Sequence, residues 1–236
     1  MENKLHILST AMLDDSLIKK VEAAGMLIDV MSFIDTTPLL DDNKEQQIAM
    51  LYSEPHVVVF TSANAVNYLP EHNKPHWDIY CIGYATQKAA SEKFSAELIK
   101  GTAPNAATLA DEIIKSGAKE IIFFCGDKRR DELPDKLQAA GISVQEIVVY
   151  KTTLTPQHIN KQYDGILFFS PSAVESFLHA NKIPSTTTLF AIGSTTAGAI
   201  VNMSSNGVIT SKVPDKKELI NTLLEHYSVR SEQILK

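Results

Sequence analysis

Cysteine is nearly absent from this chain of 236 residues, which carries only Cys81 and Cys125. The two lie far apart, each after an apolar run, so there is no disulfide framework and no C-x-x-C pair. Both read as buried thiols at strand ends. Trp77 is the single tryptophan. It sits in a proline-flanked loop and reads as a packing residue. No apolar run approaches the ~20 residues that a membrane helix needs. No apolar leader precedes the strand-like opening run Leu5-His6-Ile7-Leu8, so cytoplasm is the expected compartment, with no membrane as partner. Basic charge is in deficit: 22 Lys and Arg stand against 28 Asp and Glu, a net charge of -6. That balance excludes nucleic acid as a partner, since phosphate neutralisation needs a basic surface. Neither G-x-G-x-x-G nor G-x-x-x-x-G-K-[ST] occurs, so nucleotide binding has no motif. His72 and His76 are four apart, but Pro70 and Pro75 mark a loop there. They read as surface histidines, and no metal is expected.

What is present is ordinary for a globular protein: 44% hydrophobic and 21% charged residues, in a length that suits one or two domains. Short β-rich runs alternate with helical patterns. The predicted strands are 4–9, 27–34, 57–60, 79–82, 97–99, 120–124, 143–152, 165–169 and 188–192. The predicted helices are 12–24, 43–53, 63–69, 86–94, 106–116, 130–140, 172–180, 196–203 and 215–227. Alternation of this kind predicts α/β layers with parallel sheets. Near-continuous apolar strands such as Val57-Val58-Val59-Phe60 predict helices on both faces of each sheet.

Two repeats run through the chain. Val58-Val59-Phe60-Thr61-Ser62-Ala63-Asn64-Ala65-Val66 is echoed by Leu167-Phe168-Phe169-Ser170-Pro171-Ser172-Ala173-Val174. Each is followed by Ile-Gly and threonine, in Ile82-Gly83-Tyr84-Ala85-Thr86 and Ile192-Gly193-Ser194-Thr195-Thr196. Separately, Asp15, Lys20, Ala23, Ala24, Gly25, Thr36 and Thr37 align without gaps on Asp131, Lys136, Ala139, Ala140, Gly141, Thr152 and Thr153. Repeats this long imply two similar domains. The pattern alone leaves two domain cuts open. The halves can be sequential, or the two middle segments can form one domain while both chain ends build the other.

The Ser/Thr turns follow strands and open helices, where backbone N–H groups are free to meet an anion. Ligands in open α/β sheets bind beyond the carboxyl ends of strands. Thr61, Ser62, Asn64 and Thr86 in one half, and Ser170, Ser172, Thr195 and Thr196 in the other, are therefore candidate binding residues; each also suits ordinary helix capping. In Cys125-Gly126-Asp127-Lys128-Arg129-Arg130 a strand ends in a glycine turn and three basic residues open a helix. Cations there oppose the helix dipole, which suits a ligand-facing role; the run equally suits a solvated face balanced by Asp127, Asp131 and Glu132. Tyr150 can serve as a neutral acid or hydrogen-bond donor.

Taken in order, these segments resemble the uroporphyrinogen-III synthase family. The resemblance is carried by Phe60-Thr61-Ser62-x-x-Ala65-Val66, Ile82-Gly83-x-x-Thr86, Cys125-Gly126-x-x-x-Arg130-x-x-Leu133, Val149-Tyr150-x-Thr152, Phe168-Phe169-Ser170-Pro171-Ser172 and Ile192-Gly193-x-Thr195-Thr196-Ala197. It implies two similar α/β domains with parallel sheets flanked by helices, joined by two extended β connectors, with a ligand cleft between domains. One domain would be 1–33 with 153–236, and the inserted one 34–152. The implied activity is a cyclising hydro-lyase of tetrapyrrole and haem biosynthesis. It would close hydroxymethylbilane, an octa-carboxylate, into uroporphyrinogen III, inverting the last pyrrole and losing water. The resemblance implies no cofactor, a monomer, and transient hand-over from the enzyme that makes the bilane. It casts Tyr150 as the catalytic residue, with Thr61, Ser62, Asn64, Thr86, Gly126, Arg130, Ser170, Ser172, Thr195 and Thr196 binding substrate. The competing expectation is a non-catalytic two-domain ligand-binding or sensor protein on the same fold. One departure stands out. Many members carry an arginine soon after the first strand, whereas this chain has Leu8-Ser9-Thr10-Ala11-Met12. Contacts there would fall to hydroxyls or backbone, and charged contacts to Lys128, Arg129 and Arg130.

Overall fold

The computed structural model describes the backbone of residues 4–234 and the side chains of residues 4–228. In chain order these form β1 (His6–Ser9), α1 (Asp15–Ala23), β2 (Leu27–Val30), β3 (Ile34–Pro38), α2 (Asp42–Tyr52), β4 (His56–Phe60), α3 (Ala63–Tyr68), β5 (Trp77–Ile82) and α4 (Gly83–Lys93). Next come β6 (Ile99–Ala103), α5 (Ala106–Ser116), β7 (Glu120–Gly126), α6 (Glu132–Ala139) and β8 (Ser143–Leu154). The remainder is β9 (Gly165–Phe168), α7 (Pro171–Ala180), β10 (Thr188–Ala191), α8 (Ser194–Met203), β11 (Val208–Thr210) and α9 (Lys216–Ile234). The protein is α/β, with two sheets flanked by helices. Among the described residues no helix is long and apolar enough to cross a membrane.

The chain divides into two compact units, one ending at Asp35 and resuming at Thr153, the other running from Thr36 to Thr152. The first holds the sheet β11-β10-β9-β1-β2, and the second holds most of the sheet β3-β8-β7-β4-β5-β6. Within each sheet the paired strands β1, β2, β9, β10, β11 and β4 to β8 are parallel. Strand β3 runs antiparallel to β8: the Leu39 N–H donates to the Val149 carbonyl and the Thr155 N–H to the Phe33 carbonyl. The chain passes between units twice, within β3 and within β8.

Both faces of each sheet are covered, which accounts for the uninterrupted apolar strands. In the contiguous unit, Val58 and Phe60 pack on one face with Trp77 and Phe124, while Val59 packs on the other with Leu109 and Phe123. In the other unit, Ile7 and Leu8 divide between two clusters in the same way. Burying each such side chain stabilises the fold by about 1.5–3 kcal/mol. Capping limits the helices. Asn105 accepts the Thr108 N–H at 2.9 Å to start α5, which ends at Gly117 with a left-handed backbone.

Three segments differ from expectation. The predicted strand 27–34 is broken, because Phe33 leaves the sheet to bury its ring against Phe177, 5.1 Å between centroids. The strand predicted at 97–99 begins only at Ile99, since Ala96–Leu98 coil into a short 3₁₀ turn. Strand β11 has no counterpart among the predicted strands. Its three residues are too few to show a period.

The internal repeat extends to the pattern of burial. From Phe60 to Asn67 and from Phe168 to Glu175 each position has the same degree of exposure, and so do Cys81–Ala90 and Ala191–Ile200. Strand order repeats as well, with β2-β1-β9-β10-β11 matching β8-β7-β4-β5-β6.

Candidate active site

In a parallel sheet whose chain order reverses direction, the two strands at the reversal open a crevice at their carboxyl ends. In the contiguous unit that reversal falls between β7 and β4. Gly126 ends β7 and Thr61-Ser62 follow β4, so three of the predicted residues stand there. Tyr150 joins them from β8, where it is the register partner of Gly126.

The Ser62 side chain is close enough to the Tyr150 phenol to favour its ionised form. Ser62 also caps α3, its Oγ accepting the Asn64 N–H at 3.2 Å. Desolvation holds the phenol pKa above the usual tyrosine value, while the neighbouring Ser62 side chain opposes the rise. Tyr150 is therefore a neutral O–H donor at physiological pH, with a hydroxyl beside it able to stabilise its conjugate base. The β8 backbone around it is pinned by Asp127. The Asp127 N–H donates to the Tyr150 carbonyl at 3.0 Å, and Asp127 Oδ1 accepts the Thr152 N–H at 2.8 Å.

Sequence reasoning missed Tyr68. Its ring stacks on Tyr150, 5.8 Å between centroids and 29° between planes. Its hydroxyl donates to the Thr36 carbonyl at 2.5 Å. A signal exists in the sequence, since Tyr68 ends α3, the short helix that Ser62 opens.

The basic run behaves differently from expectation. Lys128 and Arg130 are exposed in a turn before α6, and the first turn of the helix carries Glu132 and Asp135 instead. Acids there favour the helix dipole, so the expected electrostatic conflict does not arise. Arg129 is closed off by ion pairs with Glu146 and Asp131.

In the discontinuous unit, Ser170 caps α7, its Oγ accepting the Ala173 N–H at 3.1 Å. Ser172 is half-buried in the first turn, behind Pro171, and Thr195 is exposed at the start of α8. Thr86 and Thr196 are buried, 4% and 2% exposed. Thr61 and Asn64 are half-buried. Hydroxyls near β1 are engaged internally. Ser9 donates to the Ala11 carbonyl and Thr10 to the Leu167 carbonyl. This unit has no tyrosine pair among its described residues at the matching places. Ile34 and Ser176 stand where the repeat puts Tyr150 and Tyr68, and the Ser176 hydroxyl is buried without a hydrogen-bond partner.

With this geometry in place, known proteins provide a comparison. The family model described as uroporphyrinogen-III synthase HemD matches residues 15–221. Uroporphyrinogen-III synthase of Saccharomyces cerevisiae is 27% identical over 172 residues, covering 61% of this chain and 62% of the relative. The match thus spans less than two thirds of that relative's length. A mutant uroporphyrinogen III synthase from the extremely thermophilic bacterium Thermus thermophilus has a solved structure with TM-score 0.67 at 13% identity, covering 97% of this chain and 99% of that one. Uroporphyrinogen-III synthetase from Helicobacter pylori gives TM-score 0.62 at 17% identity, covering 94% and 99%. Both share the fold.

Proposed function

We propose, because the chain belongs to the uroporphyrinogen-III synthase HemD family, that it closes hydroxymethylbilane to uroporphyrinogen III with inversion of the last pyrrole and release of water. The observation that supports this reading best is Tyr150, a buried phenol laid over Gly126 at the carboxyl-end crevice of its own sheet.

The reaction breaks a C–O bond at the exocyclic carbon of the first ring and joins that carbon to the substituted carbon of the last ring. The old bridge bond at that carbon then breaks, the bridge carbon bonds to the ring's free α-carbon, and the proton lost there restores the acid. Departure of hydroxide is assisted by a proton. Tyr150 supplies it, and the Ser62 hydroxyl stabilises the phenolate left behind. Substrate carboxylates are received by N–H groups that the helix starts leave unpaired. Side-chain caps already hold Asn64 and Ala173, so the N–H groups of Ala63, Ser172 and Ser194 are the ones assigned to carboxylates. Such groups need no excess of Lys and Arg, in keeping with a net charge of -6.

The bilane also cyclises unaided, without inversion, so the protein steers as much as it accelerates. A hundredfold preference for the inverted product needs only about 2.7 kcal/mol between two barriers. Holding the chain so that the correct carbon meets the electrophile supplies energy of that order.

The test is product identity. Purified protein given freshly generated hydroxymethylbilane should yield the type III ring, resolved from type I by chromatography after oxidation. A product ratio equal to that of the buffer blank refutes the reading.

A further inference from the structure

The discontinuous unit has its own reversal point, between β1 and β9. The residues that follow these strands are Thr10-Ala11-Met12 and Phe169-Ser170, and none is basic. A base nevertheless stands there. Lys216, the first residue of α9, donates from Nζ to the Met12 carbonyl at 2.7 Å and lies 6.0 Å from the Phe169 ring centroid. Its ammonium therefore sits over the seam between the carboxyl ends of the two strands.

We infer that Lys216 is the carboxylate-binding cation of this rim, a specificity-determining contact for an anionic tetrapyrrole. The inference rests on the function proposed above. An ammonium has three donors, and Met12 uses one. The neighbouring acids are engaged elsewhere. Asp215 Oδ1 accepts the N–H groups of Lys217 and Glu218, and Glu218 Oε2 accepts from the Asn221 amide. Among the described residues no carboxylate forms an ion pair with Lys216, and the side chain is exposed. Arg129 is the contrast, a base already neutralised by Glu146 and Asp131. The Met12 bond also holds the lysine stem in place before any ligand arrives, so less side-chain freedom is lost on binding.

Three variants separate charge from scaffold. Lys216→Gln keeps a donor for the Met12 carbonyl and removes the charge. Lys216→Arg keeps both, and Lys217→Gln removes a neighbouring charge outside the rim. With hydroxymethylbilane at low ionic strength, K216Q should raise KM about tenfold, leave kcat within about twofold, and melt at the wild-type temperature. K216R and K217Q should stay close to wild type. A second readout uses uroporphyrin III, a stable octa-carboxylate, followed by fluorescence titration across salt concentrations. K216Q should bind it more weakly and with a shallower salt dependence. Wild-type KM in K216Q, or unchanged uroporphyrin affinity and salt dependence, overturns the inference. So does a loss in K217Q equal to that in K216Q. Failure of the wild-type protein to form the type III ring refutes the proposed function instead, and the titration then decides Lys216 separately. Weaker binding in K216Q still supports it, and equal or absent wild-type binding overturns it.

Discussion

Tyr150 lies across the α-carbon of Gly126. A Cβ built on Gly126 would stand 2.4 Å from Tyr150 Cζ and 2.8 Å from the phenol oxygen, closer than real Cβ contacts come. The two residues are register partners at the point where the pairing of β7 and β8 slips. That slip lays the ring over the strand end, where only hydrogen leaves room for it.

Gly126→Ala should therefore displace Tyr150 without unfolding the unit. The expected stability loss is about 1–3 kcal/mol, the range for overpacking a filled site. Formation of the type III ring should fall about as far as in Tyr150→Phe. Thermal melting and initial rates on the same preparation check both parts. A folded variant with the wild-type rate would detach the ring's position from the chemistry.

Tyr150→Phe should fold normally and lose about a hundredfold in rate, the lower end for a general acid, since steering of the bilane persists. The pH profile carries the sign. In the proposed reaction the phenol acts as the acid, and its pKa is raised by burial. The rate should thus stay flat through neutrality and its alkaline limb should begin only above the ordinary tyrosine value of about 10. Initial rates in Tyr150→Phe and wild type between pH 6 and about 10 test this. A wild-type limb falling near pH 8 would exclude Tyr150 as the donor.

The two Ile-Gly turns make a matched pair with opposite tolerance. Gly83 has φ +75°, where a side chain is strained, whereas Gly193 has φ -172°, ordinary extended backbone. A Cβ on Gly193 would meet only Pro214 Cβ, at 3.5 Å. Gly83→Ala should cost about 1–2 kcal/mol and Gly193→Ala about 0.5 kcal/mol or less, read from denaturant melts.

Alkali should unfold the contiguous unit through its thiols. Burial pushes Cys81 and Cys125 from the ordinary value up to about 12. A raised folded pKa means that the neutral form is the one the fold favours. Its contribution is complete below the unfolded pKa and is lost as pH rises through the folded one. Stability should decline between pH 9 and about 12. In Cys81→Ala/Cys125→Ala that part of the decline should disappear, at some cost in packing near neutrality. An unchanged alkaline slope in the double variant would assign the loss to the buried tyrosines.

Element type was legible in the sequence wherever an apolar period ran for several residues. The triple valine of β4 and the stripe of Leu109, Ala110 and Ile113 on α5 needed no tertiary information. Strand β11 lacked the length, and Phe33 was drawn out of its strand by a ring that lies far away in sequence. Of the candidate site, the motifs located Ser62, Gly126 and Tyr150 one by one. Their mutual contact depends on strand order and a register slip, which no local pattern encodes. Tyr68 and Lys216 were passed over for the same kind of reason. Tyr68 matters through a ring from another segment. Lys216 reaches the rim only because β11 places the following loop at the carboxyl edge.

Strand β1 finds its neighbour β9 far along the chain: the His6 N–H already donates to the Asp164 carboxylate 158 positions on. During synthesis the order of emergence therefore differs for the two units. Residues 36–152 leave the ribosome as an unbroken set and can close their sheet at once. Strands β1 and β2 must wait as an open, apolar pair until β9 is made. In that interval a nascent chain is exposed to aggregation and to chaperones through β1 and β2. Mutations in β1 should then show in the yield of folded protein more than in the stability of what has folded.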